Sequence, residues 1–421
     1  MHLMERIPRS WLAYAGFVSL TLLWIHTVRG IYNDSGLFWW VGTDFGQYYA
    51  QALALWSGDP SNIYRPESYS EVYQELLSKY IINQKPVPPT SVPYPPIFAW
   101  LFTPFTMPSP PVGFALWEGV NILATLYLAW RAAGLFPVSR RPLVVLLILT
   151  SYPVVDTLLL AQPQLLLACA VGECYLALRT GQDLAAGLWL SCLLIKPQYG
   201  LLIGLFLIWK RRWHAVAGAA IGGLVVVGGS LLVAGWDALL AYPLALQEMA
   251  VFQGYWEQNM INWRSLVLWA HPGVSTLKGM LLTQTLAVGT LAAVMVVCRG
   301  VWRGRTPFFS VQFTLVIIAT LLVMHHSLTY GVVMLILPVA AVFSEKLASA
   351  WTGWSVLLIA VLSTLAFTLL QVGSVPFTAR VITFGLLSCF ASLLWTAWRV
   401  RRADPVRGSL SRSDSPSFSL Q

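Results

Sequence analysis

A carboxylate, an ammonium, a guanidinium and a pair of imidazoles stand where they could do chemistry. Asp44 opens the stretch GTDFGQYYAQALALWSGDP at 42–60, with no basic neighbour in sequence. Lys196 separates two apolar runs, SCLLI and PQYGLLIGLFLIW. His325 and His326 end another apolar run just before SLTYG, and Arg264 lies within YWEQNMINWRSL. A carboxylate at the mouth of a site can take a proton from an attacking hydroxyl. An ammonium or guanidinium can hold an anionic leaving group. The imidazoles suit neutral hydrogen bonding to a substrate: HExxH is absent, and no second His or Cys follows at the i+3 or i+4 spacing of a zinc site.

Each residue also has an ordinary structural explanation. Asp is a favoured N-cap, and Gln47 stands where a capping-box partner would, so Asp44 can cap its helix and still keep a free oxygen. Lys196 can snorkel to the headgroups, although Pro197 points to a broken helix end where a lysine meets a phosphate. Ionisable groups at membrane depth are functional by default. Arg264 beside Asn259, Asn262 and Trp263 reads as a sugar or phosphate contact, or as a solvated loop residue. Asp156 and Gln162 read as polar lining of a span end or as hairpin caps. Glu118 and Glu173, inside apolar spans, need partners that the sequence does not name.

The elements that must position these residues are membrane helices. The 421 residues are 57% hydrophobic and 10% charged, against about 25% charged in soluble domains. The mean hydropathy of +0.67 agrees with a polytopic membrane protein. The net charge of +9 does not indicate nucleic-acid binding, because the basic residues fall in short clusters between apolar spans. Cys169, Cys174, Cys192, Cys298 and Cys389 lie inside spans with no CxxC, and read as small apolar residues. The first span, 11–29, has no small-x-small cleavage site and reads as a permanent helix.

Further crossings are expected at 112–131, 142–160, 163–178, 183–195, 197–209, 214–235, 279–298, 309–325, 328–343, 351–370 and 376–398. These make about twelve membrane helices, with both termini cytoplasmic by the positive-inside rule. YPPIFAWLFTPF at 94–105 is too short to span and reads as a juxtamembrane or re-entrant helix. Two outer loops are long, 30–111 and 236–278. The first holds the helix after Asp44, with Phe45, Tyr48, Tyr49, Ala52, Leu53 and Trp56 on one apolar face. It also holds a second amphipathic helix at 66–82 and a stiff proline-rich run. Residues 1–398 therefore read as one transmembrane domain, followed by a polar, Ser-rich, disordered cytoplasmic tail at 399–421.

The order of several short motifs resembles a known family. They are D-F-x-x-Y-Y at Asp44 to Tyr49, G-x-x-x-x-I-Y at Gly58 to Tyr64, and Y-P-P at Tyr94 to Pro96 with Pro104. L-W-x-x-x-N follows at Leu116 to Asn121, then AGLWLSCLLIKPQ at Ala186 to Gln198, WKRRW, and N-W-x-S-L at Asn262 to Leu266. The chain resembles the polyprenol-phosphate-mannose-dependent α-mannosyltransferases of the GT-C fold, a family that includes the bacterial enzyme elongating phosphatidylinositol mannosides. The match runs from about residue 10 to about residue 345 and rests on order and spacing.

The resemblance implies an all-α GT-C membrane fold with juxtamembrane helices in the first outer loop. It implies a hexose, mannose in the family, moved from a polyprenyl phosphate donor to a lipid or glycan acceptor hydroxyl. Transfer would occur on the outer face of a bacterial inner membrane, with inversion. Asp44 maps onto the family's general base, Lys196-Pro197 onto its Lys-Pro pair, and His325 or His326 onto its late-span His. On this reading Lys196 and Arg264 take the donor phosphate. Tyr48, Tyr49, Gln162, Asn262, Trp263, His325, His326 and Tyr330 contact substrate. No metal or other cofactor is expected, since a polyprenyl phosphate needs no DxD-bound nucleotide. Two departures touch the pocket: Ala161-Gln162-Pro163-Gln164 stands where the family has G-Q-x-N, and Tyr330-Gly331 where it has Tyr-Asp. The rival reading is a flippase or transporter of a lipid-linked saccharide, which would favour inverted repeats that the sequence does not display.

Overall fold

The computed structural model describes residues 43–56, 60–65, 71, 73–75, 93–251, 257–272, 274, 276–300, 302, 304–370 and 375–403. The expected first span, Asp34, Asp59, most of the 66–82 helix, the proline-rich run up to residue 92 and the tail beyond 403 lie outside these residues. The described chain is helical throughout, apart from one isolated antiparallel bridge between Met260 and Leu328. In order come α1 (Thr43–Trp56), α2 (Pro96–Phe102), α3 (Pro110–Gly134), α4 (Arg141–Leu149), α5 (Tyr152–Leu159), α6 (Gln164–Thr180), α7 (Asp183–Ser191) and α8 (Pro197–Trp209). They are followed by α9 (Trp213–Val251), α10 (Trp263–Ala270), α11 (Thr276–Val297), α12 (Pro307–Val323), α13 (Ile336–Ser344), α14 (Ala350–Leu357), α15 (Ser363–Leu370) and α16 (Val375–Ala403).

Five described helical stretches are long and apolar enough to cross a bilayer, or six if the bent pair α4 and α5 is one span. The remaining apolar helices of the expected set are shorter, so length does not reach the expected number. The 142–160 span is bent by 46° between α4 and α5. The 183–195 span is α7 plus a 3-10 turn, Cys192–Ile195, and the 328–343 span begins as the 3-10 turn Thr329–Leu335. Residues 94–105 form only the seven-residue α2 and a 3-10 turn, because Pro95 and Pro96 start the helix and Pro104 breaks it.

α12 is the axis of the packing: its residues from Phe309 to Leu322 are all buried, as an all-round apolar sequence requires. α3 and α6 run side by side, joined by the bidentate pair of Arg131 Nε and Nη2 with Glu173 at 2.7 and 2.9 Å. Tyr127 also donates to Glu173 at 2.7 Å, so this intramembrane carboxylate is fully engaged. Glu118 accepts from Asn121 Nδ2 at 3.2 Å. α7 and α9 cross with their backbones in contact. A Cβ on Gly187 would sit 1.9 Å from the Ala215 carbonyl oxygen, and one on Gly218 would sit 2.1 Å from that of Leu184.

α9 does not end at residue 235. Gly235 takes φ 77°, a conformation open to glycine, and the chain resumes as a helix to Val251, so the start of the 236–278 loop is helical. This arm changes the surroundings of α1. Ala50, Ala54 and Leu55 pack with Ala234, Ala238 and Ala245, while Phe45, Tyr48, Tyr49 and Ala52 pack with Tyr94, Phe98, Phe102, Phe114 and Trp117. α1 is therefore clamped on two sides rather than resting one face on a bilayer. Trp56, expected on the apolar face, is 61% exposed, and its indole donates to Thr103 Oγ1 at 3.0 Å. α16 likewise continues past the expected end at 398, to Ala403.

Candidate active site

Backbone punctuation delivers three of the site's side chains. α5 closes in a Schellman motif: Gln162 N donates to Thr157 O at 2.9 Å and Ala161 N to Leu158 O at 3.1 Å, with Ala161 in the left-handed region at φ 53°. Trp117 Nε1 holds the Ala161 carbonyl at 2.7 Å, and Pro163 prevents the helix from continuing. Gln162 is thereby fixed on a tight corner and buried. Pro197 starts α8 and forces Lys196 out of the helical region, to φ −131° and ψ 78°. The result is a lysine only 4% exposed, at a helix break between two short apolar helices. Tyr94 stands just before Pro95 and Pro96, its carbonyl accepting the Tyr64 hydroxyl at 2.6 Å.

Asp44 lies inside the first turn of α1, since the helix begins at Thr43 rather than after Asp44. Its carboxylate is half-buried and accepts from Gln162 Nε2. The other end of the same amide, Gln162 Oε1, accepts from Lys196 Nζ at 2.5 Å, Tyr48 Oη at 3.1 Å and Tyr94 Oη at 3.4 Å. The two tyrosine hydroxyls are 3.1 Å apart. Lys196 Nζ also lies over the rings of Tyr330, at 4.7 Å, and Tyr94, at 5.4 Å. Acid and cation are thus joined through a neutral amide and walled by tyrosines. Burial raises the Asp44 carboxyl above the ordinary aspartate range, opposed by the Lys196 charge and the Gln162 hydrogen bond.

The segment carrying the histidines and Tyr330 is stitched down from several sides. Asn262 caps α10 by accepting from Ser265 N at 3.0 Å, and its amide donates to the carbonyls of Met324 at 3.0 Å and His325 at 2.7 Å. Ile261 N donates to Ser327 O at 2.9 Å. Thr329 donates to Asp156 Oδ2, and Tyr152 donates to Asp156 Oδ1 at 3.2 Å. Asp156 is therefore an anchor for the residue next to Tyr330. His326 is half-buried and held neutral, its imidazole lowered to about 4 by burial and by the nearby charges of Lys196 and His325.

The remaining predicted residues are placed elsewhere. Arg264 is taken up by Glu257 and by His325 Nε2 at 2.6 Å, forming an exposed rim rather than joining Lys196. Trp263 donates to Thr290 Oγ1 at 2.8 Å and packs against the core. Tyr49 donates to the Thr106 carbonyl at 3.4 Å and packs on Phe45, so it braces α1. Asn262 acts through the segment it holds. Sequence reasoning missed Tyr94 as a site residue, although Y-P-P marked its position, and missed the role of Asp156, whose partner Thr329 is 173 residues away. Among the described residues, no three His, Cys, Asp or Glu side chains gather into a metal-ligand set.

The Asp44–Gln162–Lys196 arrangement places a proton acceptor beside a cation that can meet a phosphate, with aromatic faces around both. No curated protein and no solved structure matches the chain. A family model does match, that of glycosyltransferase family 87, over residues 93–327. The matched region includes Tyr94, Gln162, Lys196, Asn262, His325 and His326, while Asp44 and Tyr330 flank it. With more than half of its length matched, and with apolar helices long enough to cross a bilayer, the chain belongs to glycosyltransferase family 87 as an integral membrane protein.

Proposed function

We propose that this glycosyltransferase takes its sugar, a hexose and by resemblance mannose, from a polyprenyl phosphate donor. It transfers the sugar to an acceptor hydroxyl on a lipid or glycan at the outer face of a bacterial inner membrane. The observation that carries the reading is the bridge from Asp44 through Gln162 to Lys196. A donor phosphate entering from the membrane would meet Lys196 Nζ, a buried ammonium with one oxygen partner and two ring faces. As the glycosidic bond to phosphate breaks, the departing oxygen gains negative charge, which that ammonium stabilises. Asp44 would take the proton of the acceptor hydroxyl as its oxygen attacks the anomeric carbon from the opposite side. That in-line displacement inverts the anomeric centre. The transmembrane body through residue 398 would serve as one catalytic domain, with both termini facing the cytoplasm, a reading the positive-inside rule supports.

Neutral His326 and the hydroxyls of Tyr48 and Tyr94 are suited to hydrogen-bond the sugar or the phosphate. Arg264, already paired with Glu257, is a secondary contact at the rim. The test is label transfer from radiolabelled polyprenyl phosphate sugars into the lipid fraction of membranes containing the protein. Lys196→Ala should raise the donor concentration needed for half-maximal rate, while Lys196→Arg keeps part of the activity. Unchanged donor use by Lys196→Ala would move the phosphate site elsewhere, with Arg264 next to examine.

A further inference from the structure

A cavity of about 330 Å³ lies away from the Asp44 site, between α4, α13 and α14. Leu143 and Leu147 of α4, Val339 and Ala340 of α13, and Gly353 and Leu357 of α14 line it. Small residues face the gap at Ala340 and Gly353. One wall bends by 46° after α4, and the other runs into a π-helical turn, Leu358–Leu362, after α14. The volume falls in the range of small-molecule pockets, and the lining is mostly apolar, with the hydroxyls of Ser151 and Ser349 and two cations as its polar groups. Arg140 and Lys346, both exposed, stand at the end of the cleft where α4 starts and α13 ends. Neither is in an ion pair with a described residue, and Glu345, next to Lys346, is taken by Arg179. α4 starts at the same end, with no side chain capping its N-terminus. The exposed indole of Trp354 edges the cleft.

We propose that this cleft holds one anionic glycerophospholipid, with an acyl chain between α4, α13 and α14 and its phosphate between Arg140 and Lys346. The positive-inside rule explains basic residues on this side. It does not require two unpaired cations at the mouth of an apolar cavity, and that combination matches an anionic head joined to an apolar tail. The far end of the cleft reaches Pro153 and Val332. Pro153 lies in the first turn of the helix that carries Asp156, and Val332 follows Tyr330, whose ring covers Lys196. A bound chain would therefore brace the segment that walls the active site. The lipid site stands whether or not the donor reading holds, because none of its residues belongs to the Asp44–Lys196 group.

The experiment uses the full chain, purified in mild detergent, with retained lipid quantified by mass spectrometry. The protein is then incubated in nanodiscs of phosphatidylcholine with and without phosphatidylglycerol. Wild type should keep one phosphatidylglycerol per chain through washing. The Arg140→Ala/Lys346→Ala variant should lose it several-fold at an unchanged melting temperature in phosphatidylcholine alone. Ala340→Phe, which fills the cleft, should also exclude it. If Ala340→Phe does not fold, the charge variant decides alone, since both of its side chains are exposed. Equal retention by wild type and the charge variant would mean annular lipid only and would overturn the proposal. A retained polyprenyl phosphate in place of phosphatidylglycerol would equally overturn it, by assigning the cleft to the donor chain.

Discussion

Replacing Asp44 with Asn separates proton transfer from positioning. The Asn side-chain oxygen can still accept from Gln162 Nε2, so the amide that joins α1 to the α5–α6 corner keeps its partner. The packing of α1 between Phe98, Phe102 and the α9 arm is untouched, and the melting temperature should stay near wild type. Losing a general base typically costs about 10²–10⁴-fold in rate, or roughly 3–5 kcal/mol of transition-state stabilisation. The substitution also removes the negative charge nearest Lys196, which weakens the lysine's hold on its proton. A rate loss could then reflect a neutralised Lys196 instead of a missing base, and pH separates the two. In wild type the Asp44 carboxyl is raised above 3.8, so activity should fall as pH drops through that raised value. Asp44→Asn should remove the Asp44 contribution to this acid limb. In Asp44→Asn a loss caused by Lys196 would recover as pH falls and the lysine recharges, whereas loss of the base gives no recovery. The assay is sugar transfer from a synthetic polyprenyl phosphate donor by purified variants matched in melting temperature. A stable Asn variant working at the wild-type rate across the pH series would refute the base assignment.

Gln162→Leu should leave Lys196, Tyr48 and Tyr94 without their shared acceptor, lowering kcat/KM at least tenfold and destabilising the fold by about 1–3 kcal/mol, read by thermal melts. Gln162→Glu places a second carboxylate beside Asp44, which raises the Asp44 carboxyl further and should move the acid limb of the pH–rate profile to higher pH. Ala161→Gly should melt within about 0.5 kcal/mol of wild type, because relief at φ 53° is offset by the extra freedom of glycine in the unfolded chain and by loss of the buried methyl. A loss of more than about 1 kcal/mol would show the corner to be unstrained. Asp156→Asn should cost about 1–3 kcal/mol by disturbing the contacts with Thr329 and Tyr152. It should also lower kcat by loosening Tyr330, and Thr329→Val should reproduce that kinetic defect. Cysteine at position 259 should react with an impermeant thiol reagent from outside and cysteine at 211 only after permeabilisation, with the reverse pattern overturning the orientation.

The helical membrane fold was legible because composition and hydropathy dominate in a bilayer. Several span limits were legible because prolines mark them, as at Pro110, Pro197 and Pro307. What stayed hidden depends on contacts between distant segments. Periodicity gave α1 one apolar face, but nothing local announced that Gly235 would swing an alanine-lined helix onto its other side. Glu173 is recognisable as an intramembrane acid, yet its pairing with Arg131, which reads as a basic residue at a cytoplasmic span end, depends on α3 and α6 lying in parallel register. The site divides in the same way. Asp44, Gln162 and Lys196 could be picked out by type and by the breaks beside them, whereas the separation of Arg264 from Lys196 could not. Glu257, the residue that captures Arg264, reads in the sequence as one more loop acid.

The amide between Asp44 and Lys196 has a consequence that neither charge would have alone. A direct ion pair at this depth would satisfy both groups so well that a phosphate or a hydroxyl would have to break it, and breaking a buried pair typically costs about 3–5 kcal/mol. With Gln162 between them, each charge spends one contact on a neutral dipole and keeps the rest of its valence for another partner. Gln162 Nε2 stabilises the carboxylate, while Oε1 stabilises the ammonium. The side-chain amide is therefore polarised in the direction that both charges favour. The tyrosine hydroxyls on Oε1 fix which end faces which charge. An Asn at 162 would be one methylene too short to span the two groups. A Glu would turn the relay into a competitor for Lys196. Gln is the side chain that keeps an acid and a cation close and available, on a corner whose backbone is held by Trp117 and the Schellman turn.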